Sequence, residues 1–168
     1  MGGLPLAISL YLTSVAIHVT AVVIFLGITF LFFPLQVAAE KAPRHLPFVI
    51  RVIRDAERKL VWPGLVIIAA TGIFQTIDFG WDRMANIVWL SASVTIFVFI
   101  VLVRFTVMRW AMDTTLAEVE RAEAAAGDDG EIKLSPEFKQ AANVLSTTGS
   151  LMGLLVIMIA FLMETKPF

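Results

Sequence analysis

The chain has 168 residues, 58% of them hydrophobic and 16% charged, with a net charge of −1 and a mean hydropathy of +0.85. A soluble domain carries about a quarter charged residues, so an apolar excess gathered in long runs identifies an integral membrane protein and leaves no basic patch for nucleic acid. Without Cys, disulfides, thiolate nucleophiles and zinc–thiolate or iron–sulfur ligation are excluded. With only two His, His18 and His45, a multi-His metal centre within one chain is not expected.

Met1 to Ser9 lacks Lys and Arg, so no secretory signal is expected there. The first span is expected over 6–35, a run with no charge and Pro34 near its inner end. Residues 36–60 then form a connection crowded with charge, from Glu40 and Lys41 to Arg58 and Lys59. Pro47 suits the first turn of a helix there. Its basic, amphipathic character predicts an interfacial anchor or a downward extension of the second span. The second span is expected over 61–77, with Pro63 near its start. Asp78, Asp82 and Arg83 mark a short loop before a third span over 86–108. The connection 112–140 is hydrophilic. Thr114 to Ala126 has helical composition, and the Gly127-Asp128-Asp129-Gly130 run ends it. Ser135-Pro136-Glu137 reads as an N-cap followed by Pro at the first helical position, opening the helix that carries a fourth span over 144–163.

These spans predict an all-α transmembrane four-helix bundle forming a single membrane domain. Lys41, Arg44, Arg51, Arg54, Arg58 and Lys59 lie in the first connection; Arg104, Arg109, Arg121, Lys133 and Lys139 lie in or near the third. Only Arg83 and Lys166 remain for the other side. This positive-inside bias places both connections in the cytoplasm and both termini outside, in a multi-pass protein of the cell's inner membrane. The Trp residues agree, with Trp62 and Trp110 at the inner boundary and Trp81 and Trp89 at the outer one. Arg104 is expected to snorkel to the inner surface.

Gly149 and Gly153, with Ser146 extending the small face, predict close helix packing within the bundle, at a subunit contact or against a flat cofactor. His18 lies about 12 residues from the outer end of its helix, ~18 Å down at 1.5 Å per residue. An ionisable side chain at that depth raises a functional hypothesis by default. Three readings stand: a neutral ring hydrogen-bonded to a Ser or Thr across the bundle, an axial ligand to haem iron, or a proton-transfer group. The last is disfavoured because the spans contain no Asp or Glu. Ser14 and Ala21 share the His18 stripe. Met152 reaches a similar depth, ~16 Å from the outer end, and Met is a known second ligand to haem iron. His45 sits ~25 Å from His18 along a straight helix, so a bis-His pair needs two copies of His18 across a two-fold axis.

The segment Ile17-His18-Val19-Thr20-Ala21-Val22-Val23-Ile24-Phe25-Leu26-Gly27 resembles the first-helix pattern of the CopD superfamily, where a His is followed nine or ten residues later by Gly. Arg54-Asp55-Ala56-Glu57-Arg58-Lys59-Leu60, with Pro63 and Thr71-Gly72, is similar to the second-helix entry of that group and of HemJ, the membrane protoporphyrinogen oxidase. The resemblance covers about residues 10–110. Its nearest point is the uncharacterised CopD-related branch of predicted integral membrane proteins. It implies a four-helix membrane bundle with haem b on His18, and a basic residue of importance at Arg58 or Lys59. Arg104 is the further candidate for a propionate. The chain departs from HemJ after Gly27, where Ile28 to Gln36 contains no Arg, and in its long acidic 113–139 connection. It departs from a copper site in that Met152, Met158 and Met163 form no single face.

Three functions follow as expectations. The first is a haem-b redox protein acting on electrons, a porphyrin-like substrate or a quinol. The second is a non-catalytic accessory subunit of a larger respiratory or photosynthetic complex. The third is a copper-handling protein. The expected partners are the lipid bilayer and a second copy or a larger complex.

Overall fold

The computed structural model describes residues 6–80, 87–127 and 132–166. Trp81, Asp82, Arg83, Asn86 and the Asp128-Asp129-Gly130 run lie outside the described residues. Helix α1 runs Leu6–Glu40. A short 3₁₀ turn, Pro43–His45, leads into α2, Leu46–Ala56. A π-turn, Glu57–Val61, joins α2 to α3, Trp62–Phe79. After the second loop, α4 spans Val88–Val103, a second π-turn covers Arg104–Met108, and α5 continues over Arg109–Ala126. The last helix, α6, is Pro136–Thr165. Four continuous rods result, each long and apolar enough to cross a membrane: 8–40, 43–78, 88–126 and 136–165.

The expected connections are therefore largely helix. Residues 36–60 are the end of α1, one tight turn and α2, and 112–126 prolongs the third rod. The reason is in the pattern. Leu46, Ile50 and Ile53 are buried at spacings of four and three, which gives α2 an apolar inner face. Ala111, Met112, Thr115 and Val119 do the same for α5. The two extensions pack on each other, and the basic face of α2 pairs with the acidic face of α5. Arg51 bonds Glu123 with both guanidinium nitrogens, at 2.9 and 3.0 Å, and Arg54 lies 2.7 Å from Asp113.

The ends agree with the local sequence. Gly80 and Gly127 end α3 and α5 with φ of 96° and 63°, a conformation that glycine adopts without a Cβ penalty. At the start of α6 the Ser135 hydroxyl accepts from the Phe138 N–H at 3.0 Å and donates to Glu118 Oε2 at 2.7 Å, so one residue caps α6 and ties it to α5.

Helix α1 packs along α3, and α6 packs along α4 and α5. The pairs join where α1 meets α6 and where α2 meets α5. Among the described residues, no Cα of α3 or its π-turn comes within 8 Å of one in α4 or its π-turn. The core gathers toward the α2–α5 end, around Leu46, Ile50, Met108, Val119 and Phe138. At the other end Lys166 Nζ lies 5.8 Å from the Trp89 ring, which puts the last residues of α6 level with the first turn of α4.

Candidate functional site

Between α1 and α3 the packing follows one register. Ser14, His18 and Phe25 face Gln75, Thr71 and Gly64, each helix stepping by four and then seven. These are the spacings of a left-handed antiparallel seam. Gln75 Nε2 donates to the Ser14 hydroxyl at 3.3 Å. His18 Nδ1 and Thr71 Oγ1 are 2.8 Å apart. Phe25 lies so close to Gly64 that a Cβ there would sit 2.0 Å from the ring. Gly72 makes room for the imidazole, whose Cε1 lies 3.5 Å from where a Cβ would stand.

His18 is thus held by a Thr across a helix contact. The Thr71 hydroxyl has a single proton, and the Ile67 carbonyl at 2.7 Å takes it. On that ground we assign the proton of His18 to Nδ1, which donates to Thr71 Oγ1. The lone pair is then on Nε2.

The other sequence-derived candidates occupy different surroundings. Met152 is buried, in the same core cluster as Ile100, Met108 and Leu145. Gly149 and Gly153 pack inside the chain. The Gly149 Cβ position is 3.9 Å from Met108 and that of Gly153 is 3.2 Å from Phe30. Arg58 and Lys59 are exposed, and Lys59 pairs with Asp55 at 2.6 Å. Lys59 also borders a shallow groove with Phe48, Arg51, Val52, Arg54 and Leu60.

Arg104 corrects the sequence reading. It does not snorkel. Its side chain is 6% exposed and donates from Nη2 to Glu57 Oε1 at 2.9 Å, with Glu57 also 6% exposed. Among the described residues, Glu57 Oε2 and Arg104 Nε have no hydrogen-bond partner. A guanidinium against a carboxylate satisfies the Coulombic need of each, but every orphaned polar atom retains its desolvation cost. Each residue opens one of the two π-turns, and such turns gather at functional sites. Next to the pair, the Trp62 and Phe105 rings meet with centroids 4.3 Å apart and planes tilted by 57°.

Glu57 escaped the sequence reading because it sits in a run of charges. Its signal was the spacing: Leu46, Ile50, Ile53 and Glu57 fall on one stripe by steps of four, three and four. A carboxylate in phase with an apolar stripe is a buried carboxylate.

Residues 10–167 match the family model described as predicted integral membrane protein DUF2269. No curated protein and no solved structure matches the chain.

Proposed function

We propose that this chain, which belongs to the DUF2269 family of integral membrane proteins, is a haem-b redox protein of the CopD and HemJ type, with His18 as an axial ligand through Nε2. The observation that carries the reading is the bond from His18 to Thr71. Histidines that bind metal through one nitrogen donate the proton of the other to a fixed acceptor, which sets tautomer and ring orientation. Thr71, itself anchored to the Ile67 carbonyl, is such an acceptor. Haem, when bound, supplies one-electron chemistry.

Within one chain, His18 is the residue that would hold the haem iron, since His45 lies in the 3₁₀ turn at the α2 end. Arg104 is engaged by Glu57 and Lys59 by Asp55, so Arg58, exposed beside them, is the basic residue left for a propionate. Met152 belongs to the buried core cluster. A second copy of the chain would supply a further His18 to hold the group.

The visible spectrum of the purified protein is the test. A Soret band is expected in the wild type and absent in His18→Ala. Thr71→Val is expected to retain haem while shifting its reduction potential, because the ring loses its acceptor. A colourless wild type, purified from haem-replete cells, overturns the proposal.

A second reading has its own observation. Among the described residues, no Cα of α3 comes within 8 Å of one in α4, α5 or α6, and beyond Trp62 the side chains of Val66, Ile73, Phe74 and Ile77 remain exposed. A subunit packed in a larger membrane complex would cover that face. A colourless protein that migrates with a large assembly in mild detergent supports this role. Copper handling has less behind it, since no group of three His, Asp or Glu that could hold a metal is found among the described residues.

A further inference from the structure

The observations at the π-turns belong together and owe nothing to His18. In the second rod the buried positions run Leu46, Ile50, Ile53, Glu57, Val61, Gly64. In the third they run Ile100, Arg104, Met108, Ala111. A straight seam alternates steps of three and four. Both series take two successive steps of four, and both do so across the π-turn, from Glu57 to Val61 and from Arg104 to Met108. Each π-turn absorbs one surplus residue. In doing so it keeps the stripes above and below it facing inward. The Trp62 N–H bonds back to the Glu57 carbonyl and the Arg109 N–H to the Arg104 carbonyl, five residues in each case.

The side-chain links between the α1–α3 pair and the α4–α6 pair fall at this level or on the α2–α5 side of it. Glu57 meets Arg104, Trp62 meets Phe105, and Phe30 lies against Gly153. Toward the α2–α5 end, Arg54 meets Asp113 and Arg51 meets Glu123. In the other direction the polar links stay within a pair, as in His18 with Thr71 and Ser14 with Gln75. Helix α3 there approaches neither α4 nor α6.

We infer that Glu57 and Arg104 form a pivot, about which the α1–α3 pair and the α4–α6 pair tilt relative to each other at the end remote from α2 and α5. The two π-turns are the hinges. Their backbone hydrogen bonds have an alternative, shorter pairing in the α form, and the register exchange moves one residue in or out of the turn. The orphaned Glu57 Oε2 and Arg104 Nε give the pair a second set of bonds to make when the geometry changes. Ile77 lies 20 residues beyond Glu57, a lever of ~30 Å, so a tilt of ~10° moves its end by ~5 Å.

Spin labels test this on the full chain in lipid nanodiscs. Leu12 and Ile77 lie level with each other within the α1–α3 pair, and Phe161 lies on α6; all three are exposed. Electron–electron distance measurements on labels at 12 and 77 are expected to give a narrow distribution. Labels at 77 and 161 are expected to give a broad one. Equally narrow distributions would show one rigid body and overturn the inference in the native protein, without any change to the pair. Glu57→Gln and Arg104→Gln are expected to shift the 77–161 distance by several ångströms and leave 12–77 unchanged. The exchange Glu57→Arg with Arg104→Glu is expected to restore it. A folded Glu57→Gln protein with an unchanged 77–161 distribution defeats the pivot.

Discussion

Phe25 against Gly64 is the tightest side-chain approach at any described glycine. A methyl group at position 64 meets ring carbons near the root of Phe25, so the ring or the helix must move. Overpacking of this kind costs about 1–3 kcal/mol. Gly64→Ala is expected to lower the thermal unfolding midpoint in detergent clearly. Gly72→Ala is expected to change it little, because the nearest His18 atom lies at an ordinary contact distance. The His18–Thr71 bond was legible as one of three alternatives, since a polar ring at that depth requires a partner. The identity of the partner was not legible, because Thr71, Thr76, Ser14 and Ser93 look alike until the helix register is known. Glu57 was readable from its phase, and Arg104 only with it. A cation alone near a helix end has the inexpensive option of snorkelling, and what removes that option is a carboxylate on another helix.

At the scale of elements, the four apolar runs were legible because length and hydropathy alone identify them. Their continuation is legible in part: the extension of the second span is one of two readings from Pro47, and Thr114 to Ala126 has helical composition, but that these segments run on from the spans as single rods is not, because the charges interrupt the apolar pattern. In α2 and α5 the charges mark the outer face of each helix, opposite its buried apolar stripe. The basic face of one meets the acidic face of the other in the pairs Arg51–Glu123 and Arg54–Asp113. These ion pairs are partly exposed and each contributes little by itself. The buried face beneath them, Ile50, Ile53, Ala111 and Val119, supplies most of the adhesion through apolar burial. Ser135 was read correctly as an N-cap from its position before Pro136. Because it also donates to Glu118, Ser135→Ala removes a cap and an interhelical bond together. A cap alone contributes about 1 kcal/mol. Ser135→Ala is therefore expected to cost at least that much, seen in thermal unfolding, and Ser135→Asp is expected to retain the cap but repel Glu118. Equal stability of the alanine variant and the wild type would show that α6 starts without this residue.

For the molecule as a whole, the sequence predicts sidedness and the fold gives it a simple geometry. Four rods joined by two loops at the α2–α5 end and one at the other bring Leu6 and Thr165 to one side, opposite the charged extensions. We expect that side to face away from the cytoplasm, from the excess of Lys and Arg on α2 and α5. In intact cells, Asp78→Cys is expected to react with a membrane-impermeant thiol reagent and Glu120→Cys to be shielded; both positions are exposed. The reverse pattern would invert the protein in its membrane. The arrangement of the rods was beyond reach of the sequence. Hydropathy carries no information on which apolar helix neighbours which, since lipid and protein are equally apolar surroundings. The polar residues hold that information, and each can be read only with its partner.

If Trp62 and Trp110 mark the lipid boundary, as the sequence predicts, α2 reaches 16 residues below Trp62 and α5 16 residues below Trp110, or ~24 Å each at 1.5 Å per residue. On that placement the two form a stiff post standing clear of the head groups, braced by the ends of α1 and α6. Phe48, near its tip, is 67% exposed. A soluble molecule approaching this membrane would touch the post before it touched the bilayer, and would be held at the height of its tip. The length of two helices thus sets a standoff distance, and shortening α2 and α5 together by two turns would bring any such visitor ~11 Å nearer to the lipid.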